Sequence, residues 1–296
     1  MIIFPIIAAI LFGSQYIPQK LAGNVKTEYY NLTMILGAVA GSVFTFLIIS
    51  FIGGFAPIFL VPFFLSFVGG IFWSLGNRLS LVGINNIGMA KTTVILNFVS
   101  VISFIFGILF FAESPNLYLF IGIPFLMGGA IIVSLLGESS GQINKLGVVS
   151  IFIATIFISI NNVLSIDAIT AGYFNHPVIS IFTSVMCVCL GAAIGALLFN
   201  LTPSKLREWI AQPRRTHLYA IGAGFIWVAG FEITTYILAI PELGLSFGVP
   251  IIQSVMIVVS ALWGLLYFKE IVGRKKIGLY VTGTGITILG VILFAF

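Results

Sequence analysis

Apolar residues run through this chain in stretches of about 20, broken by short clusters of polar residues, glycine and proline. Ten stretches separate cleanly, at 2–17, 31–51, 58–82, 90–111, 117–136, 146–166, 177–199, 218–240, 246–268 and 277–296. Within each the apolar character is continuous and does not alternate at every second residue, which predicts membrane-spanning α-helices rather than barrel strands. The longest connections, at 18–30, 167–176 and 200–217, are too short to fold as a soluble domain. The expectation is an all-α integral membrane protein of ten transmembrane helices.

Composition sharpens this. The chain is 60% hydrophobic and only 7% charged, where a soluble domain carries about 25% charged residues. Too little charge remains to cover a water-facing surface, which excludes a cytosolic enzyme, a nucleic-acid binder and a disordered chain. The lipid bilayer is the expected partner and the cell membrane, crossed many times, the expected location. The opening MIIFPIIAAILFG has no basic residue before its apolar run and leads into further spans, so it reads as a retained first helix. Cys187 and Cys189 lie two apart in an apolar run, on different helix faces, and are not expected to bridge.

The formal charge of +5 is informative through its placement. Lys20, Lys26, Lys91, Lys145, Lys205, Arg207, Arg214, Arg215, Lys269, Arg274, Lys275 and Lys276 all fall at connections after odd-numbered spans, and the other connections and both termini hold no lysine or arginine. The positive-inside rule then predicts cytoplasmic odd connections and both termini outside.

The two halves also align. GGIFWSLGN from Gly69, FGILFFAE ending at Glu113 and IGIPFLMGGAII from Ile121 correspond to GAGFIWVAGF from Gly222, WGLLYFKE ending at Glu270 and IGLYVTGTGIT from Ile277. Trp73 falls on Trp227, Gly76 on Gly230, Gly107 on Gly264 and Glu113 on Glu270. The expected organisation is one five-helix repeat over 1–137, a connector over 138–145 and a second repeat over 146–296. Five is odd, so successive copies sit in opposite orientations: two inverted five-helix repeats, the arrangement in which secondary carriers bind substrate near the midplane at the repeat interface.

A family pattern is carried by FGSQYIPQK from Phe12, GGIFWSLGN in the third span and GINNIGMAK leading into the fourth. This resembles the glucose/ribose porter group of the EamA-like drug/metabolite transporter superfamily, whose members pair FGS or WGS in helix 1 with GxxWxxG(N/Q) in helix 3. The likeness in helix count covers nearly the whole chain, and the sharper motifs lie in spans 1, 3 and 4. In the second half ISINN from Ile158 stands in place of FGS. The resemblance implies a transporter, with sugars or related polyols as the usual cargo.

An uncharged hydroxylated cargo needs hydrogen-bond donors and acceptors in register and an aromatic plane for its apolar face. Gln15 in span 1 aligns with Asn161, beside Asn162, in span 6. Trp73 and Asn77 share a face of span 3, and Trp227 repeats the aromatic in span 8. Asn97 in span 4 and Gln253, with Ser254, in span 9 fall at nearly matching depths. A single amide is more often glue between helices than a ligand; recurrence in spans 1, 3, 4 and 6, 8, 9 favours a shared cavity. Arg78 and Glu232 are the ionisable groups placed within spans, at equivalent repeat positions, and such groups cost about 2.5 to 3.5 kcal/mol at a helix centre. They form a candidate charge network, as a direct pair or in separate polar networks, and Glu232 is the candidate for taking up a coupling proton.

Other features read as structural. Glu113, Ser114 and Pro115 suit a helix stop and restart, and Glu270 is the repeat equivalent of Glu113. Lys91 reads as an interfacial anchor, with a substrate ligand as the alternative. Gly37 with Gly41 and Gly191 with Gly195 suit close helix contact. His176 and His217 have no companions at metal-ligand spacing, and neither a metal nor another cofactor is expected. No P-loop is present, so an ion gradient or the substrate's own must drive transport. The expected function is a secondary carrier of a small polar metabolite, with a sugar favoured, working by alternating access. An exporter of amino acids, drugs or other metabolites is the alternative; an enzyme is not expected.

Overall fold

The structure, a computed structural model, describes residues 3–23, 25–53, 60–112, 117–134, 144–170, 177–198, 200, 202–240 and 248–294. Regular structure among them is helical throughout. In order the helices are α1 (Ile3–Ser14), α2 (Ile17–Ala22), α3 (Thr27–Gly53), α4 (Leu60–Ile87), α5 (Met89–Leu96), α6 (Phe98–Phe111), α7 (Leu117–Ser134), α8 (Lys145–Thr170), α9 (Pro177–Leu198), α10 (Pro203–Ile210), α11 (Arg214–Leu238), α12 (Val249–Leu262), continued by a π-helical turn (Trp263–Tyr267), and α13 (Arg274–Phe294). Six of the described helices are long and apolar enough to cross a membrane, α5 and α6 counting as one. The protein is a multi-pass membrane protein.

In hydrocarbon a helix is the natural form for these sequences because it satisfies every backbone N–H and C=O within the segment. Hydroxyl side chains hide in the same way. Thr93 donates to the Met89 carbonyl at 2.9 Å, Thr234 to Gly230 at 2.9 Å and Thr235 to Phe231 at 2.7 Å, each one turn back along its helix. The outer surface carries large apolar side chains such as Phe44, Phe51, Phe64 and Leu109. Polar side chains face inward: Ser66 on α4 meets Ser184 on α9 at 2.8 Å, and Asn31, Asn77, Asn97 and Asn161 are buried.

The most extensive packing is α4 against α8 and α9, followed by α7 against α13 and α11 against α3; α11 also packs on α1, and α3 on α9. Two crossings depend on glycine. A Cβ on Gly70 of α4 would collide with the Val188 carbonyl of α9, and one on Gly191 of α9 with the Phe67 carbonyl of α4. At the crossing of α3 and α11, Gly37 lies against the Ile221 backbone and Gly224 against the Met34 carbonyl. Each helix thus presents a bare backbone to its neighbour, and dispersion between closely approached backbones replaces the hydrophobic effect that lipid cannot supply.

The structure departs from the sequence pattern in its breaks. The helix of the first apolar run stops at Ser14, and a second helix, α2, runs on into the connection at 18–30; the fourth run divides at Asn97 into α5 and α6. The connection at 200–217 contains α10, a short helix with the alternation of PSKLREWI. It docks through Trp209, whose Nε1–H donates to Thr33 Oγ1 at 2.8 Å, and Glu208, which accepts from Lys26 Nζ at 2.6 Å and Tyr29 Oη at 2.7 Å. Lys91 is buried in the first turn of α5 rather than standing at the surface as an anchor, because α5 begins inside the packed bundle. Glu113, Ser114, Pro115, His176 and most of the 138–145 connector lie outside the described residues, as does the side chain of Ser254.

Candidate functional site

The helix breaks locate a central cavity. Gln15 and Tyr16 form the joint between α1 and α2, and Leu96 and Val99 flank the α5/α6 break; all four line it. Trp73 and Asn77 enter from α4, Asn161 and Asn162 from α8, Trp227, Phe231 and Thr234 from α11, and Gln253 with Met256 from α12. The free space is about 80 Å³ when measured by the centres a water-sized sphere can occupy, room for a handful of waters.

Trp73 and Trp227 meet in its wall. Their ring centroids are 3.8 Å apart with planes inclined by 30°, and Phe231 continues the stack at 4.9 Å from Trp227, nearly parallel at 14°. Trp227 and Phe231 are four residues apart on α11, so helix periodicity alone brings both to one face. Both tryptophans are almost completely buried.

The amides around this stack are incompletely satisfied. Gln15 Oε1, Asn161 Nδ2 and Gln253 Oε1 are shielded from solvent and have no hydrogen-bond partner. Two acceptors and one donor are thus unpaired on three residues that line the cavity. An unpaired buried amide atom costs roughly 1 to 3 kcal/mol, a cost that a hydrogen-bonding group entering the cavity would offset. Asn77 is different: its Nδ2 donates to Asn31 Oδ1 at 2.7 Å, which fixes its orientation and ties α4 to α3. Among the described residues, the cavity wall includes no charged side chain.

Of the positions singled out from the sequence, Gln15, Trp73, Asn77, Asn161, Trp227 and Gln253 share this cavity. Asn97 does not line it. Its Nδ2 donates to the Thr93 carbonyl at 3.0 Å, one turn back, and it forms the break that lets Leu96 and Val99 reach the wall. Arg78 is half-buried on α4 and also lies outside the lining. Glu232 is directed elsewhere, accepting from Thr45 Oγ1 of α3 and lining a separate cleft with Phe4, Val178, Ile181, Phe182 and Tyr236. Tyr16, Phe231 and Thr234 belong to the wall without having been singled out. The last two could have been reached by stepping one and two turns along α11 from Trp227.

Residues 3–296 match the model of the family described as "Sugar transport protein". The chain belongs to this family. Consistent with that membership, a protein of Lactobacillus johnsonii described as a candidate sugar uptake protein is 26% identical over 292 residues, spanning 95% of each chain. Two Listeria monocytogenes proteins with the same description are 23% and 24% identical, over 96% and 97% of their own lengths. A solved crystal structure superposes on 97% of both chains with a TM-score of 0.63 at 14% identity, a likeness of fold.

Proposed function

We propose that the protein is a secondary transporter, not an enzyme, that carries an uncharged sugar across the cell membrane by alternating access, with the central cavity as its binding site. The observation that carries this reading is the set of open amide atoms on Gln15, Asn161 and Gln253 around the Trp73–Trp227 stack. Sugar hydroxyls both donate and accept, and so complement both kinds of open atom, while the ring's C–H face packs on indole. Family membership and relatives described as taking up sugar support the same cargo. The alternative, export of amino acids, drugs or other metabolites, is less well served where the cargo is charged: a fixed charge would enter a wall that holds no counter-charge among its described residues and lose its hydration without compensation.

Ten spans in two inverted five-helix repeats, of the EamA-like drug/metabolite transporter kind, remain the preferred architecture. The exchange of packing partners supports it. Helix α4 packs on α8 and α9, its repeat equivalent α11 packs on α1 and α3, and the equivalent pairs α7/α13 and α3/α9 pack on each other. Such reciprocity follows from a pseudo-twofold axis near the tryptophan stack. The basic residues orient both termini outside. Glu232 is the preferred site for a coupling proton, being a carboxylate in an otherwise apolar cleft of the bundle.

The test is binding to the purified protein, followed by tryptophan fluorescence. Neutral hexoses and pentoses are expected to change the emission and sugar phosphates, amino acids and cationic drugs to leave it unchanged. A response only to charged ligands would reject the reading.

A further inference from the structure

The short helix α2 is held in place by contacts that converge from three separate parts of the chain. Lys20 Nζ lies 2.9 Å from Glu270 Oε1. The same carboxylate accepts the backbone N–H groups of Met89 at 3.0 Å and Ala90 at 2.9 Å, the first two residues of α5. Gln19 Nε2, on the adjacent residue of α2, donates to the Leu81 carbonyl at 3.3 Å and Asn85 Oδ1 at 3.0 Å on α4. The sequence suggested only a helix terminus for Glu270; in the structure it joins the connection after the π-helical turn to the start of α5 and to α2.

Its surroundings are built for that role. Gly88, just before α5, has φ +86°, a conformation suited to glycine, and it aims the α5 N-terminus at the carboxylate. A Cβ on Gly88 would come within 2.8 Å of Glu270 Oε2, and one on Gly264 within 3.2 Å, so both glycines keep the space open. The amides and helix dipole stabilise the negative charge whether or not Lys20 is present. Lys20 is the more exposed partner, at 26% against 10% for Glu270. Parting the pair returns an ammonium to water and leaves a carboxylate that is still hydrogen-bonded, which avoids the large penalty of an abandoned buried charge.

The placement of α2 gives this poised contact a consequence. Its hinge, Gln15–Tyr16, forms part of the cavity wall, and the chain beyond the hinge is α2 itself. Up to the hinge α1 is tied to α12, Ser260 Oγ donating to the Gly13 carbonyl at 3.3 Å and Trp263 Nε1–H to Ser14 Oγ at 3.2 Å. Resting on the carrier reading above, we propose that α2 is the gate between the cavity and the basic face of the membrane. Lys20–Glu270 is its releasable latch, and Gln15 connects occupancy of the cavity to it. A ligand that draws on Gln15 acts at the hinge, and breaking the latch shifts the population toward a cavity open at this face.

The test follows access, not sugar. In a Cys187→Ser, Cys189→Ser background, Leu96→Cys places a thiol in the cavity wall, and a membrane-impermeant maleimide is added to the side bearing Arg214 and Arg215. Lys20→Gln and Glu270→Gln, which keeps a carbonyl acceptor for one of the two α5 amides, are each expected to speed labelling about two- to fivefold, the population shift worth one ion pair. The double variant is expected to match the singles, and Lys20→Arg to restore the parent rate. Unchanged rates in Lys20→Gln, or effects of the two substitutions that multiply, would overturn the latch; Lys20→Gln alone decides should Glu270→Gln fail to fold. Faster labelling in a protein that moves no sugar would retain the gate and reject the cargo, so the two failures are distinguishable.

Discussion

Trp73 and Trp227 stack on each other with ring centroids 3.8 Å apart, although 154 residues separate them (227 − 73). Each fills the space that a substrate ring would need between them, so the tryptophans must part, or expose a face, when the cavity is loaded. Trp73→Ala and Trp227→Ala are each expected to raise the half-saturating sugar concentration about tenfold, the loss of one large aromatic contact, with phenylalanine recovering most of it. Uptake measured over a range of sugar concentrations checks this. Unchanged half-saturation with normal protein levels would make the pair a packing contact.

The open amides allow stability and function to be separated. Gln15→Met and Gln253→Met remove an acceptor that has no hydrogen-bond partner in the structure. Each is expected to leave the thermal midpoint unchanged or raise it while weakening sugar binding about five- to tenfold, the worth of one hydrogen bond. The two measurements are thermal unfolding in detergent and sugar titration. A fall in stability together with unaltered binding would assign these side chains to structure.

The repeat alignment and four-residue spacing pointed from the sequence to Trp73, Asn77 and Trp227: membrane helices keep the 3.6 period, and the two tryptophans that the alignment equates meet in the structure. The helix breaks were not legible. Asn97 lies within a continuous apolar run and the α1/α2 joint before Pro18 within another, and only packing with neighbouring helices determines where the backbone yields. Charge was the least legible. Glu270 and Lys20 lie 250 residues apart (270 − 20), and no local pattern reveals that they meet. Likewise, Arg78 and Glu232 align between the halves, yet the structure directs Glu232 to Thr45.

Docking of α10 is expected to depend on pH through an exposed pair. The hydrogen bond from Lys26, followed by that from Tyr29, lowers the Glu208 pKa below its ordinary 4.5, and the bond to Glu208 raises that of Lys26 above 10.5. A lowered carboxylate pKa contributes stability that is full above 4.5 and lost as pH falls through the depressed value. A raised lysine pKa contributes below 10.5 and is lost as pH rises through the elevated value. Trypsin cleavage after Arg207, or hydrogen exchange in α10, should therefore be slowest relative to a Glu208→Gln control between those limits, and high salt should reduce the difference. Equal protection of the two proteins at neutral pH and low salt would show that Trp209 alone holds the helix.

The proposed coupling role of Glu232 rests on its position in a largely apolar cleft beside Thr45. Glu232→Gln keeps the shape and the acceptor for Thr45 but cannot exchange a proton. The variant is expected to lose sugar accumulation driven by an imposed pH difference while exchange of internal for external sugar continues at close to the parent rate. Accumulation by the variant under a pH difference alone would remove Glu232 from the coupling step.

Counterflow in proteoliposomes tests the central claim most directly, because it requires a single purified protein to bind a sugar, reorient and release it. Vesicles loaded with an unlabelled neutral sugar and diluted into a trace of the labelled form should show a transient overshoot. The overshoot should disappear in Trp73→Ala/Trp227→Ala and resist competition by sugar phosphates and amino acids. No overshoot for any neutral hexose or pentose with correctly folded protein, or an overshoot that survives loss of both tryptophans, would contradict a sugar path through this cavity.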